Sequence, residues 1–319
     1  MYNEPPLTAI DLGSNSIRLL CARCLSRPEH SLKIVFRALR VPRLGEFFEP
    51  DRRLKARAME RAFAAVGELR DQARKLGVRD IHMVATGVAR EAVNQEELIE
   101  GMREKLGMPL RIIDGEEESS LTLLGVSSTI DGLTYPLFVC DIGGGSTECA
   151  LQQEDGTEAL WSIPLGAVRL TEQCGINAPM GEEKLAVDEC IARHLDHLVQ
   201  PSKRITMLVA PAGTPTTLAS IDQALIEYDP LKVHGYRLHY RRIKEIHDHL
   251  KALTLEERRR IPGLETGRED IIVAGTAILL KVMERFGISS LTVSEGGLLE
   301  GVLARTYQRR QGVVPRIYL

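Results

Sequence analysis

Two short segments of the chain repeat one arrangement of an acid followed by small residues. Asp11-Leu12-Gly13-Ser14-Asn15-Ser16 and Asp141-Ile142-Gly143-Gly144-Gly145-Ser146 each close an apolar run, and a second apolar run follows each. Glycine in such a turn lets backbone N–H groups come close to a phosphate, because it adds no side chain and tolerates left-handed dihedrals. Gly143, Gly144 and Gly145 suit that role, with Ser146 and Thr147 as hydroxyl donors. The turn from Gly13 to Ser16, with Ser14 and Asn15 inside it, offers a second wall. Two such walls facing each other would line a cleft between domains. A lone triple glycine is more often an ordinary hairpin turn; the duplication weighs against that reading here.

Acids stand beside both turns: Asp11, Asp141 and Glu148. Phosphate chemistry commonly uses Mg²⁺, held by one or two carboxylates and several waters. Turn capping would also explain Asp11 and Asp141, but acids at the same point of both segments favour the metal. Gly115-Glu116-Glu117-Glu118 puts three carboxylates at a helix start. Favourable helix-dipole placement accounts for one or two of them. Arg90, one helical turn past a strand end, suits bidentate phosphate contact; a plain surface arginine is the alternative. Cys21 and Cys24 are three apart in an expected strand, so they point to opposite faces and read as structural. The histidines, His194 with His197 among them, show no metal spacing, and Arg258-Arg259-Arg260 reads as a solvated helix end.

The elements that must position these residues follow from hydrophobic period and turn signals. Strands are expected over Leu7–Asp11 and Ile17–Cys24, over Ile81–Thr86 and Leu110–Ile113, and again over Leu137–Asp141, Glu148–Gln152, Ile205–Ala210 and Leu291–Ser294. Helices are expected over Arg52–Leu76, from Asn94 to Leu106, over Glu116–Val126, around Lys184–Leu198, over Ile271–Phe286, and from Gly296-Gly297 to about Arg310. Thr254-Leu255-Glu256-Glu257 has capping-box spacing. The recurrence of the opening one domain later describes two related α/β halves.

At 319 residues the chain is long enough for two domains of roughly 100–200 residues each. With 44% hydrophobic and 27% charged residues it is neither disordered nor a rod. A net charge of -3 argues against coating nucleic acid by bulk charge. The N-terminus lacks the pattern of a signal peptide, and Ile271–Leu280 is too short to span a membrane. A cytoplasmic protein with reduced cysteines is expected.

Several segments in order resemble one family, the exopolyphosphatase/guanosine pentaphosphate phosphohydrolase (Ppx–GppA) family of the actin–Hsp70–sugar kinase superfamily. They are Asp11 to Ser16, Arg43 to Glu46, Ala85-Thr86 through Arg90 to Asn94, Gly115 to Glu118, Asp141 to Glu148, Pro164 to Leu170, Gly213 to Ala219, His234 to Tyr236 and Ser294 to Gly301. The resemblance implies an α/β fold of two ribonuclease-H-like (actin-like ATPase) domains with an interdomain cleft. These are expected at 1–124 and 125–319, the last helix (about 296–311) packing back on the first. It implies that Glu118 is the base that activates the attacking water. It implies that Asp141 and Glu148, with Asp11, serve Mg²⁺ (or Mn²⁺). Ser14, Asn15, Arg90, Gly143, Gly144, Gly145, Ser146 and Thr147 would hold phosphate. The implied reaction is Mg-dependent hydrolysis of the terminal phosphoanhydride of inorganic polyphosphate, of pppGpp, or of both. The expected ligands are polyphosphate or guanosine penta- and tetraphosphate, with no nucleic acid and no membrane. A homodimer is the general expectation. Relatives commonly carry arginine where this chain has Ser120 and Leu299. A small-molecule kinase of the same superfamily and a non-catalytic phosphate or alarmone sensor are the competing readings.

Overall fold

In the computed structural model, Leu12 pairs with Ile17 and Asp11 with Arg18. This register closes the hairpin of β1 (Leu7–Leu12) and β2 (Ile17–Cys24) over residues Gly13 to Ser16. The structure describes residues 5–177, 187–196, 198, 201 and 203–319. β3 (Ser31–Arg40) runs antiparallel beside β2. On helix α1 (Ala56–Lys75), Ala58, Ala62, Val66, Leu69 and Ala73 recur at helical spacing, and all are buried against this sheet. β4 (His82–Ala85) joins β1 in parallel, and α2 (Val88–Glu91) and α3 (Gln95–Leu106) follow it. β5 (Arg111–Ile112) lies parallel to β4, and α4 (Gly115–Thr129) follows directly.

The same plan then recurs. β6 (Leu137–Ile142) and β7 (Thr147–Gln152) form a hairpin with Asp141 opposite Glu148, and β8 (Glu158–Ile163) extends it. After α5 (Ala167–Cys174) and α6 (Val187–Leu195), β9 (Met207–Ala210) joins β6 in parallel. Next come α7 (Gly213–Asp222), α8 (Pro230–Val233), β10 (Arg237–His239), α9 (Tyr240–Ala252), α10 (Leu255–Arg258) and α11 (Ile272–Arg285). β11 (Ser290–Val293) pairs in parallel with β9. The chain closes with α12 (Leu298–Gln311) and β12 (Arg316–Tyr318).

Among the described residues there are two six-stranded sheets, β12-β3-β2-β1-β4-β5 and β10-β11-β9-β6-β7-β8. Read from the meander outward, both contain one core: three antiparallel strands, then two parallel ones. The fold is mixed α/β with two ribonuclease-H-like halves. The compact units are residues 1–129 with 296–319, and residues 130–295.

The boundary differs from 124/125 because α4 continues to Thr129. The last helix belongs to the first unit, where it crosses α4 at backbone contact. A Cβ at Gly125 would lie 1.9 Å from the Gly297 carbonyl oxygen, and one at Gly301 would lie 1.8 Å from that of Leu121. No residue but glycine fits either position without separating the helices.

The strands β3 and β8 go beyond the sequence expectation, which stopped at two strands per hairpin. The helix expected from Lys184 is α6; Lys184, Leu185, Ala186 and His197 lie outside the described residues. The Arg258 to Arg260 run is not a solvated helix end throughout, since only Arg259 and Arg260 are exposed. Arg258 is 4% exposed and donates to the carbonyls of Leu250 and Glu269 and to Asn177 Oδ1, so it ties α10 to three other segments. Cys21 joins the core under α1, while Cys24 packs beside the cluster that holds α12; these are opposite faces of the sheet.

Candidate active site

Both turns are built by the same hydrogen bonds. Gly13 N–H donates to Ser16 O at 3.1 Å, and Gly143 N–H to Ser146 O at 2.9 Å. Each turn is then backed by a later segment that occupies its carbonyls. Behind the first, Gly45 N–H donates to Ser14 O (2.8 Å) and Arg43 N–H to Asn15 O (3.0 Å). Behind the second, the first amides of α5 do this. Ala167 N–H reaches Gly143 O (2.9 Å), and Val168 N–H reaches Gly144 O (2.9 Å). With these carbonyls taken, the amides of Ser14, Asn15, Gly144 and Gly145 donate to no backbone carbonyl among the described residues. The turns are therefore polarised as donors, the polarity an anion needs.

Side chains lock this arrangement. Ser14 Oγ accepts the Val88 N–H at 3.2 Å, which fixes the first turn against α2. The Thr147 hydroxyl is committed to Leu165 O at 2.5 Å and Thr147 is fully buried, so it anchors the turn rather than presenting a free donor. Gly166 passes so close to the second turn that a Cβ there would lie 2.4 Å from Gly144 O.

The three acids that open α4 separate sharply. Glu116 is exposed. Glu117 takes two bonds from the exposed guanidinium of Arg111, at 2.6 and 2.7 Å. Glu118 is 8% exposed, and its Oε2 accepts from Arg90 Nη1 at 2.7 Å. Arg90 also reaches the Ile113 carbonyl at 3.4 Å. Glu118 and Arg90 thus form a half-buried, charge-assisted pair within the first unit.

In the second unit, Glu148 is 3% exposed and its Oε1 accepts from Ser162 Oγ at 2.8 Å. Ser162 stands opposite Glu148 on β8, and Asp141 opposite it on β6. Sequence reasoning passed over Ser162; once β8 is known, its register points to it. Among the described residues no group of three or more His, Cys, Asp or Glu could hold a metal by itself. Two carboxylates in register remain a donor set that fits Mg²⁺ or Mn²⁺, which complete their shells with water and phosphate oxygens. Asp11 stands on β1 opposite Arg18, in the sheet of the first unit. Leu299 is 9% exposed within an apolar cluster, and Ser120 is half-buried on α4.

Residues 25–310 match the model of the Ppx/GppA phosphatase family. The chain belongs to this family. A Ppx/GppA relative from Mycobacterium tuberculosis (strain H37Rv), Exopolyphosphatase 2, is 31% identical over 314 residues, covering 93% of this chain and 97% of that protein. The crystal structure of the Aquifex aeolicus Ppx/GppA family member superposes with a TM-score of 0.78 at 31% identity, covering 96% of this chain and 98% of that one. The bifunctional 3-dehydroquinate synthase/phosphatase of Fusobacterium nucleatum subsp. nucleatum is 30% identical over 309 residues. That match covers 92% of this chain and 46% of that protein, so the chain spans about half of its length. As a Ppx/GppA protein the chain is an enzyme of the phosphoanhydride hydrolase class.

Proposed function

We propose that this chain hydrolyses the terminal phosphoanhydride of inorganic polyphosphate, with pppGpp as a second substrate of the same chemistry. The observation that carries the reading is the choice among three neighbouring acids: only Glu118 is buried and held by a cation, Arg90. The similarity to a protein named Exopolyphosphatase 2 supports polyphosphate as the substrate class.

In this reading the residues take the following roles. Glu118 takes a proton from the attacking water. A new P–O bond forms at the terminal phosphorus as the bridging P–O bond breaks, and the electron pair leaves with the shortened chain. Arg90 holds the Glu118 carboxylate in one orientation and adds positive charge near the phosphate oxygens. The free amides around Gly144 and Gly145, and those of Ser14 and Asn15, stabilise charge on the phosphoryl oxygens. Asp141 and Glu148 would hold a divalent cation, which supplies positive charge to the phosphate oxygens when bound. Ser162 keeps the Glu148 carboxylate in place for it.

Phosphate release from the purified chain, measured in parallel with polyphosphate, pppGpp and ATP, tests this. Release from polyphosphate above that from ATP is expected, dependent on Mg²⁺ or Mn²⁺. Transfer of phosphate to a sugar or acid acceptor in place of water would overturn the proposal in favour of a kinase. Tight binding with no release would overturn it in favour of a sensor.

A further inference from the structure

Within the first unit, a cavity of about 240 Å³ opens between the start of β4, the residues around β5, and α12. Its floor is apolar, with Leu121 and Val302, and its wall carries His82, Arg111, Arg305 and Arg309. It is not part of the phosphate turn. His82 opens β4 opposite Ala9, whereas Gly13 and Arg90 lie beyond the other end of the β1–β4 pair.

Three features of this cavity are unexplained by the fold. Arg305 and Arg309 are four apart on α12, and neither has a carboxylate partner among the described residues. Like charges at this spacing repel and weaken a helix. Two buried polar atoms of lining residues, His82 Nε2 and Arg305 Nε, make no hydrogen bond. Buried donors and acceptors are rarely left so in a folded protein. Finally, the charge facing His82 is mostly positive. Burial is the main influence holding its pKa below the ordinary histidine range. Arg310, Arg309 and Arg111 push the same way, against Asp80 alone. Of the lining arginines only Arg111 has an acid, Glu117.

All three are resolved by one occupant, a compact anion with several oxygens. We propose that this cavity binds a small phosphoanion, in the size range of orthophosphate or pyrophosphate, through Arg305, Arg309 and Arg111, with His82 donating once protonated. The volume has room for such an ion with bound water and falls below the roughly 300–1,000 Å³ of sites that enclose drug-sized ligands. Orthophosphate is also what a phosphoanhydride hydrolase releases, so the occupant is a free product ion or the end of a chain.

The test uses the full chain with ¹³C-labelled histidine, followed by NMR; the His82 ring signals are identified by their loss in His82→Gln. Methylenediphosphonate, which resists hydrolysis, is the probe, with chloride at equal ionic strength as the control. A saturable shift of the His82 signals towards the protonated form is expected with the probe and not with chloride. Arg305→Gln with Arg309→Gln should weaken that shift by about tenfold or more, as charge-assisted bonds are lost. Glu118→Gln should leave it unchanged, which separates this cavity from the catalytic turn. The double variant should melt no lower than the parent in the absence of ligand, since it relieves repulsion. If it does not fold, Arg309→Gln alone, at an exposed position, should still weaken the shift severalfold. Orthophosphate that competes with the probe identifies a free ion as the occupant; competition by long polyphosphate alone identifies a chain end. No saturable shift, a dissociation constant weaker than about 1 mM, or an unchanged shift in the folded arginine variants would overturn the proposal.

Discussion

Arg90 and Glu118 are 28 residues apart in the chain, yet Nη1 of one lies 2.7 Å from Oε2 of the other. Two parallel strands set this distance. Arg90 sits in the short helix after β4, and Glu118 opens the helix after β5, so the β4–β5 pairing brings the two helix starts side by side. Of the three acids at that start, only Glu118 combines burial with a cationic partner.

Glu118→Gln is therefore expected to keep the fold and to lower kcat by roughly 10²–10⁴-fold, the range for a positioned general base. Glu117→Gln should retain near-normal turnover, because it loses only an exposed pairing with Arg111. Steady-state phosphate release from the two variants decides the matter. The reverse pattern would assign the base to Glu117.

Chelation should abolish activity and added Mg²⁺ should restore it. Asp141→Asn and Glu148→Gln should each raise the Mg²⁺ concentration needed for half-maximal rate, because each removes a hard anionic oxygen. Ser162→Ala should act in the same direction but more weakly, since it frees the Glu148 carboxylate without removing it. Metal titrations of the three variants give the order. Full activity in excess chelator would refute the metal assignment.

A methyl group behind the second turn should uncouple activity from folding. In Gly166→Ala the added Cβ would meet Gly144 O at 2.4 Å, so the turn has to shift. Displacement on the ångström scale at a positioning element can cost on the order of 10²-fold in rate. Circular dichroism should remain native while kcat falls at least tenfold.

The thiols beside the second glycine turn are expected to be chemically silent. Cys140 and Cys149 are cross-strand neighbours with sulfurs 3.9 Å apart, and both are buried. Its hydrogen bond with Cys140, together with burial, pushes the Cys149 thiol well above the ordinary cysteine range. Little thiolate forms at neutral pH, and the thiolate is the reactive species. Native protein treated with iodoacetamide should label first at half-buried Cys24, and Cys140→Ala or Cys149→Ala should keep turnover within tenfold. Mass spectrometry and phosphate release provide the two readouts.

Chain length is the fifth expectation. Long polyanions are held by many Lys and Arg contacts. Leu299 instead lies in an apolar cluster and Ser120 is neutral, so neither position offers a polyanion positive charge. Short and medium polyphosphates should be cleaved with kcat/KM at least equal to that of very long chains, and intermediate lengths should accumulate on a gel. Efficiency that climbs to the longest polymers without intermediates would contradict this.

Local chemistry was legible in the residues themselves. The duplicated acid-plus-turn segments announce two equivalent hairpins because a four-residue turn is decided by its own residues, and both close with the same Gly-to-Ser bond. Hydrophobic period likewise located α1, whose buried residues recur every three to four positions, and a continuous apolar run located α11, which is buried along most of its length. β3 escaped because most of its residues are half-buried or exposed, which leaves weak alternation; β8 is similar.

What tertiary structure alone decided is every relation between segments distant in sequence. Which of three adjacent glutamates is buried depends on α4 packing under α12, and that packing depends on Gly125 and Gly301 meeting backbone from the far end of the chain. The partner of Glu148 depends on the β7–β8 register, and the uncancelled charge of Arg305 and Arg309 depends on where α12 comes to rest. A turn or a helical stripe is fixed by hydrogen bonds and spacing over a few residues, so composition encodes it. Sheet register and helix crossing are set by close packing between residues that no local period relates, so they appear only once the chain has folded.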